Sequence, residues 1–109
     1  MAYTYKVLGQ SALSATTDTD VYTVGAGKQA IVSTITIANR SSSAAQYRIA
    51  IRPAGATLAN EHYIAYGVIV LGNDTTALTL GITLSATDVV TMYASSADLS
   101  VGLFGSEIS

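Results

Sequence analysis

Apolar positions recur every second residue along most of this chain, and that period predicts strands. Residues 21–24 (Val-Tyr-Thr-Val) form a short candidate, closed by a turn at Gly25, Ala26, Gly27 and Lys28. From Gln29 to Asn39 the alternation is sustained, with Ile31, Ser33, Ile35 and Ile37 predicted to point one way and Val32, Thr34, Thr36 and Ala38 the other. β-Branched residues dominate this run, and they fit a pleated surface. After a polar turn at 39–43, residues 46–52 alternate again, with Tyr47, Ile49 and Ile51 inward and Gln46, Arg48 and Arg52 outward. Pro53 ends that strand because it has no N–H for the ladder.

Residues 54–61 read as a connector with one helical turn at Thr57, Leu58 and Ala59. Residues 62–71 are apolar on both faces, so this strand is expected to be central or to lie in a subunit interface. Gly72, Asn73 and Asp74 turn the chain. Residues 76–80 follow with Leu78 and Leu80 inward, and the strand continues through Ile82 to Leu84 past a bulge at Gly81. Residues 89–94 and 99–104 supply the last two strands. At the other end, residues 3–8 are a further strand or an arm, and the low-complexity stretch 11–19 a flexible loop.

About eight short strands separated by polar turns predict an all-β chain folded as a single β-sandwich, of jelly-roll or immunoglobulin-like type. The 109 residues suit one domain, with residues 1–17 as the N-terminal strand or arm and its flexible loop, and 18–109 as the body.

Composition then narrows the function. Only 11% of the residues are charged, against about 25% in ordinary globular chains. A surface so poor in charge is expected to be covered by other subunits. The net charge of −2 gives no basic footprint for nucleic acid. Arg40, Arg48 and Arg52 make a weak basic spot at most, better read as a solvated face or an intersubunit ion pair. No stretch is apolar for long enough to span a bilayer as a helix, and the first residues lack the features of a secretory signal, so synthesis in the cytoplasm is expected.

Candidates for chemistry are few. His62 beside Glu61 is the lone histidine, which falls short of a catalytic constellation. No serine sits in a Gly-x-Ser-x-Gly elbow. Without cysteine there is no disulfide and no thiolate metal site. Asp18 and Asp20 supply too few oxygens for calcium. Asp74, Asp88 and Asp98 fall in turns, where aspartate bonds the local backbone. Gly25 to Lys28 is not a phosphate loop, because Tyr22 and Gln29 stand where that motif needs Gly and Ser/Thr. Asn39-Arg40-Ser41 and Asn73-Asp74-Thr75 match the glycosylation pattern only through their turn composition. Neither an enzyme, nor a cofactor, nor a metal is expected. Of the seven tyrosines, Tyr47, Tyr63 and Tyr93 are assigned to the core or an interface, while Tyr3, Tyr5, Tyr22 and Tyr66 are left open.

Four segments carry a resemblance: residues 29–39 (QAIVSTITIAN) with 47–55 (YRIAIRPAG), 60–66 (NEHYIAY), 78–84 (LTLGITL) and 88–95 (DVVTMYAS). In these the chain resembles small structural proteins of tailed bacteriophages, including cyanophages, over most of its length. The resemblance implies a virion location and a role as a capsid decoration, or cement, protein. The partners it implies are further copies of the chain in a homotrimer and the major capsid protein. A tail, baseplate or fibre module, with a glycan as ligand, is the alternative. On either reading Tyr3, Tyr5, Tyr63, Tyr66, Arg48 and Arg52 are the candidate interface residues.

Overall fold

Gln29–Asn39, the longest alternating run, folds as a single strand in the computed structural model, which describes residues 3–109. Eight strands follow in chain order: β1 (Tyr3–Ala12), β2 (Thr19–Thr23), β3 (Gln29–Asn39), β4 (Ala45–Arg52), β5 (Tyr63–Val70), β6 (Thr75–Leu84), β7 (Val89–Ala94) and β8 (Leu99–Ile108). They form two four-stranded antiparallel sheets, ordered β1-β8-β3-β6 and β2-β7-β4-β5.

The pairing is nested. β1 pairs with β8, β2 with β7, β3 with β6 and β4 with β5. The chain therefore runs out through four strands and returns along them, crossing between sheets at every connection except the β4–β5 hairpin. This is the jelly-roll arrangement, one of the two topologies left open by the sequence. Val32, Ile35, Ile37, Tyr47, Ile49, Met92, Leu99 and Leu103 fill the space between the sheets and are all fully buried.

Several expectations change. β3 does not keep one inward face. Its pairing with β8 steps from Val32 opposite Gly105 to Thr34 opposite Phe104, leaving Ser33 as a bulge. One extra residue reverses the parity of a strand. Ala30 and Val32 point inward before the bulge, and Ile35 and Ile37 after it, so Ile31 faces outward and is exposed. Gly105 permits the close approach, since a Cβ there would strike the Ile31 carbonyl oxygen. The Ser33 hydroxyl secures it by donating to the Phe104 carbonyl at 3.0 Å.

The helical turn expected at residues 57–59 is displaced to both sides. Short 3-10 turns occupy Pro53–Gly55 and Asn60–His62 instead. Proline favours the first position of such a turn, where no N–H is needed. The strand expected at 62–71 is β5, which lies at the edge of its sheet and not at its centre.

Residues 3–12 are a strand paired with β8. Leu8 and Leu13 are buried in the core. The segment expected as a loop is tied to the body where the Leu13 N–H donates to the Leu99 carbonyl and the Thr16 N–H to the Ala94 carbonyl. Met1 and Ala2, part of the expected arm, lie outside the described residues.

Candidate functional site

The outer face of the second sheet gathers four of the six residues singled out above. Arg48 on β4 stands opposite Tyr93 of β7 and Tyr66 of β5. Register alone thus places its side chain between two aromatic rings. The guanidinium carbon is 4.0 Å from the centre of the Tyr93 ring and 4.3 Å from that of Tyr66. A planar cation between two π faces is held without a carboxylate. Tyr63 meets Tyr66 edge-on, with ring centres 4.9 Å apart. Tyr63 and Tyr93, expected to serve as core or interface anchors, are half-buried around this arginine and not inside the sandwich.

Arg52 lies further along the same strand and is engaged elsewhere. Its Nη2 donates to Asp20 Oδ1 at 3.0 Å, its Nε to the Thr91 hydroxyl at 3.0 Å and its Nη1 to the Ala56 carbonyl at 3.1 Å. The Thr91 hydroxyl in turn donates to the same Asp20 oxygen at 2.9 Å. Arg40 donates to the Ala97 carbonyl in a separate loop. The three arginines therefore serve three different local contacts and form no joint basic surface.

Beside Arg48 the sheet ends in β5, and here the surface is apolar. Ile64, Tyr66, Val68, Ile69 and Leu71 are all exposed, with Tyr66 at 62%, Ile69 at 58% and Leu71 at 63%. Two bulges shape the strand, one at Ile64 and one at Gly67, whose φ of +67° suits glycine. No charged side chain occurs between His62 and Asp74. A shallow open hollow of about 340 Å³ adjoins the strand, lined by Ala44, Ala45, Gln46, Ile69 and Ser95.

A second apolar group sits on the first sheet. Tyr3, Tyr5 and Val7 of β1 are exposed together with Ile31 of β3, and Tyr5 reaches 86%. Tyr5 and Ile31 both stand opposite Ser106 of β8, so they share one row of the outer face. Together the two groups hold every large exposed hydrophobic side chain among the described residues. Ile64, Val68, Ile69, Leu71, Val7 and Ile31 are not among the candidate residues. For the four on or just beyond β5 the signal is present in the apolar run at 62–71, which breaks the polar-out alternation of a half-buried strand.

The polar groups inside serve the fold. Glu107 on β8 accepts from the Tyr22 hydroxyl at 2.7 Å and from Lys6 at 3.1 Å, with Lys28 at 4.0 Å. This ties the two sheets together, because Tyr22 belongs to β2. The Tyr22 hydrogen bond, followed by that from Lys6, holds the Glu107 carboxyl below the usual glutamate range. Burial and then the Glu107 carboxylate push the Tyr22 phenol well above its ordinary value. The buried Asn39 donates to the Ser43 and Val70 carbonyls and accepts from the Ser41 N–H and hydroxyl. His62 Nδ1 accepts from the Ala59 N–H and so caps its own turn. Asp88 accepts from the N–H groups of Ala54 and Ser85, and Asp74 from that of Thr75. Among the described residues, no group of three or more His, Asp or Glu side chains is placed to hold a metal ion. No helix there is long and apolar enough to cross a membrane.

The arrangement is suited to adhesion through apolar and aromatic contact. No protein-family model and no curated protein matches this chain.

Proposed function

We propose that this chain is a structural subunit of a virion, a decoration protein that docks on the head shell and reinforces it. The observation that carries the reading is the uncharged, apolar β5 edge, with five exposed large side chains on a body whose core is otherwise closed. An exposed edge of this kind is an aggregation hazard, which other proteins blunt with lysine, proline or cover. Contiguous apolar patches of several hundred Å² mark interaction sites. A body tied through Glu107 and buried Asn39 supplies a rigid unit, and its apolar flanks supply the adhesion. The resemblance to phage structural proteins adds the location and the partners: the major capsid protein and further copies of the chain as a homotrimer.

The test is cosedimentation of the purified protein with capsid shells that lack it, followed by heating of the decorated shells. Saturable binding at a fixed ratio, with a raised disruption temperature, is the expected result. Shells that bind none of the protein contradict the reading.

The exposed Tyr66 ring, with Tyr63 and Arg48 beside it, favours a second reading as a glycan-binding tail or fibre module. Saturable oligosaccharide binding that Tyr66→Ala removes would move the assignment there.

A further inference from the structure

We infer that copies of this chain associate head to tail, with the β5 flank of one copy seated on the β1 flank of the next. The inference rests on the assembly reading above and names the surfaces and the partner.

The argument starts from where the exposed apolar side chains fall. One group is Ile64, Tyr66, Val68, Ile69 and Leu71, and the other is Tyr3, Tyr5, Val7 and Ile31. β1 is the outermost strand of its sheet and packs beside β2, whereas β5 is the outermost strand of the other sheet and packs beside β3. Tyr3, Tyr5 and Val7 therefore lie on the flank opposite the β5 group, and Ile31 on β3 extends their row inward across the outer face of the first sheet. A two-fold dimer uses one patch twice and leaves the other in water. A head-to-tail contact uses both, and repeated with a closing rotation it forms a ring.

Charge allows the match. The β5 flank carries no charged group between His62 and Asp74. On β1, Lys6 points to the other face of its strand, where it is paired with Glu107, so Tyr3, Tyr5 and Val7 stand clear of it. Arg48, beside the β5 flank, is already stacked between Tyr66 and Tyr93, and each flank provides aromatic and branched apolar side chains of the kind that anchor interfaces. Size also suffices. With a tyrosine covering ~150–250 Å², the two flanks together remove on the order of 1,000 Å² from water, where specific interfaces begin. Both strands are sheet edges with one side of the backbone unpaired, so strand-to-strand pairing is open to the same contact.

The test uses two variants that each spoil one flank. Tyr5→Lys and Ile69→Lys alter exposed positions, and cooperative unfolding of each establishes that the body is intact. Masses are measured by light scattering alone and after mixing at equal concentration. The expected result is an oligomer for the unmodified chain, a monomer for each variant alone, and a one-to-one dimer on mixing that grows no larger. In that mixture a single good contact remains, between the β5 flank of the Tyr5→Lys chain and the β1 flank of the Ile69→Lys chain. A Tyr5→Lys chain that keeps the unmodified mass overturns the inference in favour of a two-fold β5 contact. A monomeric unmodified chain, or a mixture that stays monomeric, overturns it outright. Shell binding is read separately. A monomer that still decorates shells removes this inference alone, and a head-to-tail oligomer that ignores shells removes the decoration reading alone.

Discussion

β5 and β6 are both outermost strands on the same flank, one in each sheet, and they solve the edge differently. β6 alternates cleanly. Thr75, Ala77, Thr79, Gly81 and Thr83 face water, while Leu78, Leu80 and Ile82 are partly covered and Leu84 is buried. β5 has a comparable inward set in Ala65 and Val70, yet it presents Ile64, Tyr66, Ile69 and, just beyond its end, Leu71 to solvent. The fold's need for an edge strand is met by the β6 pattern. The apolar outer surface of β5 exceeds that need, and a surface kept apolar without a folding reason is a surface for contact.

The comparison can be broken most severely from the inside. Leu84→Ala on β6 empties a fully packed site and is expected to cost about 2–5 kcal/mol, seen as a large fall in the urea midpoint. Next comes the clasp that joins the sheets on the opposite flank. Glu107→Gln removes the charge that Tyr22 and Lys6 bind and is expected to cost about 1–2 kcal/mol, since hydrogen bonds to charged groups exceed neutral ones. The Glu107 carboxyl is held below the usual glutamate range in the folded chain. Its contribution is therefore complete above the ordinary glutamate pKa of 4.5 and is lost as pH falls below that, through the lowered value. Midpoints measured between neutral and acid pH should fall for the unmodified chain and converge with those of Glu107→Gln.

Smaller effects sharpen the account of β5. Gly67→Ala places a side chain at φ +67° and is expected to cost about 1 kcal/mol, so the β5 bulge is a built feature. Leu71→Ser is the smallest. On an isolated chain it should change stability by less than about 0.5 kcal/mol, while weakening self-association measured at the same concentration. A large loss of monomer stability from Leu71→Ser would mean that β5 needs its outer apolar surface for folding, and the contrast with β6 would disappear.

Much of this architecture was legible in the residues. The spans of β3 and β7 follow from period-two patterning, and Pro53 marks the end of β4. What could not be read was set by partners distant in sequence. The reversal at Ser33 depends on a glycine at 105, where β8 approaches β3 without a side chain between them. A strand apolar on both faces reads alike whether it is central or at an assembling edge, since periodicity gives strands and not their order. Arg48 reads as an outward arginine, but its two tyrosines arrive from neighbouring strands. Tyr22 meets Glu107 across 85 residues, a pairing that no local pattern encodes.

The measurement that tests the central claim most directly is the solution mass of the unmodified chain beside Ile69→Lys, by sedimentation or light scattering at micromolar concentration. A species of several chains for the former, reduced to a single 11.2 kDa chain by the substitution, is the result this account predicts. A folded 11.2 kDa monomer in both cases would contradict β5 as the surface through which copies of the chain assemble.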